Sequence, residues 1–491
     1  MDALDHYEIW FVVGSQNLYG EHVLQQVQQN GETINSFLND QTIIPVSIKF
    51  KGVVKNTNEI TSICYSVNNH PNCIGLMVWM HTFSPAKMWI NGLSQLNKPL
   101  LHLHTQFNSE IPWNKIDMDF MNLNQAAHGD REFGYMATRM GIARKVVVGH
   151  WKEEKVIKKI AGWSRAAAAK LDAGQLKVAR LGDNMREVAV TEGNKVNAQV
   201  QFGYTVNGYG LGELQHFYQQ ISEEEINKTI QSYESSYDLA EPLRKDGHKR
   251  NSLIDAARIE VALRKFLAHG GFKAFTDTFE DLHGIPQLPG IAVQRLMAEG
   301  YGFGAEGDWK TAALLRAVKI MAIGLPGGTS FMEDYTYHMP TGKKGQVLGA
   351  HMLEICESIA EGKPSCEVHP LGIGGKEDPV RLVFNGAPGD GYNVSIIELK
   401  DGFRMIVNKV KAVSIPHEMP NLPVARVLWE PLPDFETALE GWILSGGAHH
   451  TVYTQAVDLD MLEDFALMNG VELVVIDEKT DLRQIKNQVR A

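Results

Sequence analysis

Cys73-Ile74-Gly75-Leu76-Met77-Val78-Trp79-Met80 is a run of eight residues without a charge or an amide, the length and texture of a strand buried on both faces. Working outward, similar short apolar runs occur at 8–13 and 46–50 on one side and at 100–104 and 145–149 on the other. Between them lie amphipathic stretches such as 21–38, which repeat with helical spacing. Strand and helix in alternation predict a parallel α/β layer up to about residue 170. It lacks the Gly-x-Gly-x-x-Gly fingerprint, so nothing in it argues for a dinucleotide. A second α/β block begins near 176–181 and carries helical patterns at 252–269 and 309–323, the latter with a cap at Asp308 and a stop at Gly324. From about residue 330 the texture turns strand-like, at 381–384, 393–399 and 403–409. The expected fold class is therefore α/β: two Rossmann-like α/β domains, 1–172 and 173–328, followed by a β-rich, barrel-like C-terminal domain, 329–491, that ends in a small helical segment.

A chain of 491 residues exceeds one ordinary core, and 44% hydrophobic with 21% charged residues suffices to fill several. The net charge of −11 argues against nucleic-acid backbones and anionic membranes, which attract basic patches, and favours a neutral small molecule. No stretch approaches the ~20 apolar residues of a membrane span, and Met1-Asp2-Ala3-Leu4-Asp5-His6 has no basic leader, so a cytoplasmic location is expected. Cys64, Cys73, Cys356 and Cys366 show no Cys-x-x-Cys spacing and read as reduced structural thiols.

Two glycine-led acidic segments stand out, Gly302-Phe303-Gly304-Ala305-Glu306-Gly307-Asp308-Trp309 and Gly327-Gly328-Thr329-Ser330-Phe331-Met332-Glu333-Asp334, and two that place histidines beside small residues, Val347-Leu348-Gly349-Ala350-His351-Met352 and Gly446-Gly447-Ala448-His449-His450-Thr451. Glycines let backbone pack closely around acidic or imidazole side chains. Each segment alone is explained as well by a helix cap, a solvated strand or a hydrogen-bonded core histidine. Together, two glutamates and two histidines could form a mixed oxygen–nitrogen site for a borderline metal such as manganese. Spacing this wide carries no ligand rule.

These segments, with Gly14-Ser15-Gln16-Asn17-Leu18-Tyr19-Gly20, the block 79–89 from Trp79 to Trp89, 118–125, and Gly182-Asp183-Asn184-Met185-Arg186, resemble the L-arabinose isomerase family essentially from end to end. The resemblance implies a soluble aldose–ketose isomerase that converts L-arabinose to L-ribulose through an enediolate, with D-galactose to D-tagatose as a side activity. It implies one manganese ion (Mn2+) per subunit, with cobalt (Co2+) able to substitute, held by Glu306, Glu333, His351 and His450. Glu306 and Glu333 would also carry the proton, and His449 would stand behind His450. Gln16, Leu18, Tyr19, Gln125, His128, Met185, Thr276 and Phe279 would contact sugar or line its pocket. The family further implies a ring-like homo-oligomer, commonly a hexamer, with active sites shared between neighbouring subunits. His81, His102 and His104 are expected to be packed and hydrogen-bonded, without a catalytic role.

Two other readings stay open on sequence. A related isomerase acting on fucose or another pentose would use the same chemistry. A sugar-binding receptor without catalysis would use two α/β domains, but it needs no metal site.

Overall fold

The computed structural model describes residues 4–489, which gather into two compact units. One comprises the chain up to Leu171 together with Asp460–Gly470; the other comprises Asp172–Leu459 and the segment from Val471 onward.

In the first unit, β1 (Glu8–Gly14), β2 (Ser47–Val54), β3 (Cys73–Met80), β4 (Leu100–His104) and β5 (Lys145–Val148) form one parallel sheet in the order β2-β1-β3-β4-β5. Every residue of β3 is buried, as its uncharged run requires. Alternate residues serve opposite faces. Trp10, Val12, Leu76, Val78 and Met80 share one core with Ile60 and Cys64 of the helix Thr57–Asn69, Leu93 of Ile90–Gln95 and Phe133 of Ala126–Arg139. Val13 and Phe50 meet Gly31 of the helix Gly20–Asn39, and Gly75 lies against Trp163 of Glu154–Ala173. The strand order reverses between β1 and β3, so a crevice forms beyond their carboxyl ends.

The second unit starts with β6 (Lys177–Leu181), β7 (Thr205–Tyr209), β8 (Asp238–Leu239), β9 (Ala274–Thr276) and β10 (Gly302–Gly304). Of these, β10-β9-β6-β7 form a four-stranded parallel sheet. Next come β11 (Thr329–His338), β12 (Gln346–Ala350), β13 (Ser365–Val368), β14 (Val380–Val383), β15 (Gly389–Leu399), β16 (Gly402–Val413), β17 (Arg426–Pro431), β18 (His450–Thr454) and β19 (Glu472–Ile476). Six of them pair antiparallel in the order β15-β18-β11-β12-β17-β16, and β16 pairs back to β15, so the ladder closes into a barrel. Closure leaves no exposed sheet edge within the ring. β19 adds parallel to the outside of β16.

The architecture is the expected α/β class with a β-rich C-terminal part, but one strand sits elsewhere than its sequence position suggests. β14, expected at 381–384 among the barrel strands, pairs instead with β13, and β13 pairs in parallel with β8 from before residue 240. Gln294 explains the placement: its amide donates to Leu382 O at 3.0 Å and accepts from Leu382 N at 2.7 Å, tying β14 to the helix Gly290–Ala298. All four cysteines are buried and free. No helix among the described residues is long and apolar enough to cross a membrane.

Candidate metal centre and sugar pocket

Three neighbouring barrel strands bring the candidate ligands together. Glu333 on β11 lies opposite His450 at the start of β18 and opposite Ala350 at the end of β12, so His351 follows directly beside it. Residues facing one another across antiparallel strands stand close enough for their side chains to meet. Glu306 arrives from the turn after β10. Its backbone is left-handed, with φ 60° and ψ 26°, a conformation uncommon for a residue with a Cβ. Neighbours hold it there: Met185 N donates to Glu306 O at 3.0 Å, and Gly307 N donates to Asp277 O at 2.9 Å. Gly307 itself has φ 81°, and a Cβ on it would come within 2.7 Å of Asp183 O and 2.6 Å of Asn184 Cα. The glycine of this motif is therefore required by both its conformation and its surroundings.

Single ligand atoms of Glu306, His351 and His450 all lie within 4.8 Å of one another. His450 Nε2 is 3.8 Å from Glu306 Oε2, and His351 Nε2 is 3.9 Å from Glu333 Oε2. Each imidazole is anchored from behind. His450 Nδ1 donates to Asp308 Oδ2 at 3.2 Å, and His351 Nδ1 donates to Glu354 Oε2 at 2.5 Å. A carboxylate only accepts, so each anchor fixes a proton on Nδ1 and turns Nε2 toward the glutamates. His450 is fully buried and its Nε2 has no hydrogen-bond partner. A buried nitrogen left bare is costly unless something binds it. Phe331, two residues before Glu333 on the same face of β11, packs edge-on against both imidazoles, with centroids 5.1 and 5.0 Å away. The donor set of Glu306, His351 and His450, with the Glu333 carboxylate beside His351, fits a borderline divalent ion.

The electrostatics follow from this crowding. Burial raises the proton affinity of Glu333, opposed by His351 and His450 and reinforced by Glu306. Burial works against a charged His351, yet the adjoining Glu354, helped by Glu333 and Glu306, outweighs it and brings the imidazole to about 9. For Asp308, burial alone would favour the neutral acid; Lys310, His450 and Thr311 overcome it and keep the carboxylate below its ordinary range.

A cavity of about 360 Å³ adjoins the cluster, and Glu306, Glu333, His351, Met185, Phe279 and Asp277 are among the residues that line it. Thr276 is fully buried with its hydroxyl unpartnered and does not line the cavity. His449 is exposed, its ring edge-on to His450 at 4.4 Å. The remaining sugar candidates lie in the first unit, around the crevice beyond β1 and β3. Gln125 reaches Tyr19 OH at 3.4 Å, His128 Nδ1 donates to Gln125 Oε1 at 3.1 Å, and the His128 ring stacks on Phe83. Gln16 is half-buried just after β1, and Leu18 is 82% exposed. His81 and His102 are buried, while His104 is half-buried. Asp130 binds both His102 and His104 at 2.8 Å, and Asn30 binds His81 at 2.8 Å.

Sequence reasoning missed Glu354 and Phe331 and saw Asp308 only as a cap, which it also is, accepting from Thr311 N at 3.2 Å. A signal for Glu354 existed in the spacing His351-x-x-Glu354, but a loop gives that spacing no fixed geometry.

Sequence profiles of the L-arabinose isomerase N-terminal, central and C-terminal domains match residues 3–175, 177–324 and 328–472. An L-arabinose isomerase of Flavobacterium johnsoniae is 58% identical over 491 residues, covering 100% of this chain and 98% of that one. Those of Anoxybacillus flavithermus and Geobacillus stearothermophilus are 58% and 57% identical, each over 490 residues, covering 100% of this chain and 97% and 98% of theirs. On this evidence the chain belongs to the L-arabinose isomerase family, and with it to the aldose–ketose isomerases.

Proposed function

We propose that this protein interconverts L-arabinose and L-ribulose, with D-galactose to D-tagatose as a side reaction, and that Glu306, Glu333, His351 and His450 hold a divalent ion, manganese by preference and cobalt as a substitute. The observation that carries the reading is His450 Nε2, buried, unpartnered and facing Glu306 while Asp308 holds the opposite nitrogen. A bound ion supplies positive charge that lowers the energy of an enediolate.

The chain's own residues do the rest. One of the two carboxylates, Glu306 or Glu333, takes the proton from C2 of the open-chain aldose, and the electron pair moves into a C1–C2 double bond. A proton returned to C1, with a shift of the hydroxyl proton from O2 to O1, completes the ketose. Glu333, whose burial favours the protonated form, is suited to hold that proton between the two steps. Gln16, Gln125 and His128 offer directional hydrogen bonds to sugar hydroxyls, Leu18 and Tyr19 cover the sugar from the first unit, and Met185 and Phe279 line the cavity.

The two groups of sugar contacts lie in separate compact units. The first unit also exposes Leu18, Met118 and Met121, apolar side chains that favour a covering partner. We infer a closed homo-oligomeric ring, a hexamer, in the cytoplasm, with sites shared between neighbours.

The test is to strip the protein with a chelator, reload it with single ions and assay ketose formation on a sugar panel. Manganese should restore most turnover on L-arabinose, cobalt less and magnesium least. Glu306→Gln and Glu333→Gln should each lose about 100-fold or more in turnover with unchanged circular dichroism. Undiminished activity in the chelated protein would refute the metal reading.

A further inference from the structure

A cavity of about 230 Å³ lies within the first unit, at the amino-terminal ends of β4 and β5 and so at the opposite end of the sheet from the sugar-contact crevice. Lys98, Arg144, Lys145 and Lys170 line it, with Asp464 as the one carboxylate. Lys145 Nζ is paired with Asp464 Oδ1 at 2.9 Å. The other three cations have only neutral partners. Lys98 donates to His70 O and Cys73 O at 2.6 and 2.7 Å, and Lys170 to Asn469 Oδ1 at 2.8 Å. Arg144 donates to Gly134 O at 3.0 Å and Thr138 Oγ1 at 2.9 Å, and its Nε is buried without a partner.

Three positive charges without a counter-charge around one small cavity are unusual in a chain of net charge −11. Asp460 and Glu463 share the helix Leu459–Asn469 with Asp464 but do not line the cavity. Burial lowers the proton affinity of Lys98, Arg144 and Lys170, so the fold keeps their charges at a cost that a bound anion would offset. One further atom specifies the anion. Asp464 is 3% exposed and its Oδ2 has no hydrogen-bond partner. An ionised carboxylate oxygen only accepts, so an anion seated beside it must bring a proton of its own.

We propose that this cavity is a binding site for hydrogen phosphate, whose P–OH donates to Asp464 Oδ2 while its remaining oxygens accept from Arg144, Lys145 and Lys170. Sulfate is fully deprotonated near neutral pH and has no proton to offer. A phosphate monoester, largely dianionic there, has the same deficit.

Isothermal titration calorimetry on the assembled, metal-loaded protein at about pH 7.5 and fixed ionic strength decides the matter, with inorganic phosphate, sulfate and methyl phosphate as probes. Phosphate should bind, and the other two should bind about tenfold or more weakly, the value of one charge-assisted hydrogen bond. Asp464→Asn should narrow the gap between phosphate and sulfate. Arg144→Gln combined with Lys170→Gln should weaken phosphate by about tenfold or more and leave ketose formation unchanged. No phosphate binding at millimolar concentration, equal binding of sulfate or the monoester, or unaltered binding in the double variant would each overturn the site. The comparison of probes on the unaltered protein stands even where a variant fails to fold.

Discussion

Asp277 lines the cavity beside Glu306 and Glu333 with a carboxyl that is 5% exposed and an Oδ2 without a partner. Burial, with Glu354 adding and His351 opposing, raises its pKa from 3.8 to about 8. The sign of the linkage follows. The unfolded chain ionises this group near 3.8 and the folded chain near 8, so its contribution to stability is complete below the first value and is lost as pH rises to the second. Asp277→Asn keeps the neutral form at every pH. In metal-free protein its melting temperature should gain on the parent's as pH rises across that window, and parallel curves would show that the carboxyl is solvated after all. Asp277 and Glu354 also mark the limit of reading residues from sequence. Glu306, Glu333, His351 and His450 announce themselves by their glycine-rich settings and by family resemblance. The anchor of His450 is Asp308, 142 positions away, and only folding brings the two within 3.2 Å.

The turn Ala305–Gly307 joins β10 to the helix Trp309–Met321 and aims Glu306. Gly307→Ala would place a methyl group against Asp183 O and Asn184 Cα while holding a left-handed φ. A loss of about 1–3 kcal/mol is expected, read as a lower urea midpoint, together with weaker metal uptake as Glu306 shifts. Normal stability and normal metal affinity in this variant would mean that the turn adapts freely. Elements of this kind were legible where periodicity is strong: the pattern 309–323 became the helix Trp309–Met321, and 252–269 became Arg250–Gly270. Barrel closure was less legible. Alternation of apolar residues marks a strand but not its partner, and the pairing of β14 depends on contacts to Gln294 that lie far off in sequence.

At the scale of the molecule, the shared-site reading makes a sharp demand. His128→Ala and Glu306→Gln disable different compact units, so hybrid rings formed by co-refolding the two inactive variants would contain some interfaces with both parts intact. Such hybrids should regain ketose formation, roughly a quarter of the parental rate if the two chains mix at random. Verified hybrids as inactive as either parent would show that each chain builds its own site. The chain's path sets a second demand, on biosynthesis. Asp460–Gly470 belongs to the first unit, where Met461 contacts Gly162, Asp464 pairs with Lys145, and Lys170 binds Asn469. During translation this sheet therefore waits, short of one helix, until Asp460–Gly470 has left the ribosome. Until then the side of the sheet that this helix covers stays open to contacts between nascent chains on the same messenger.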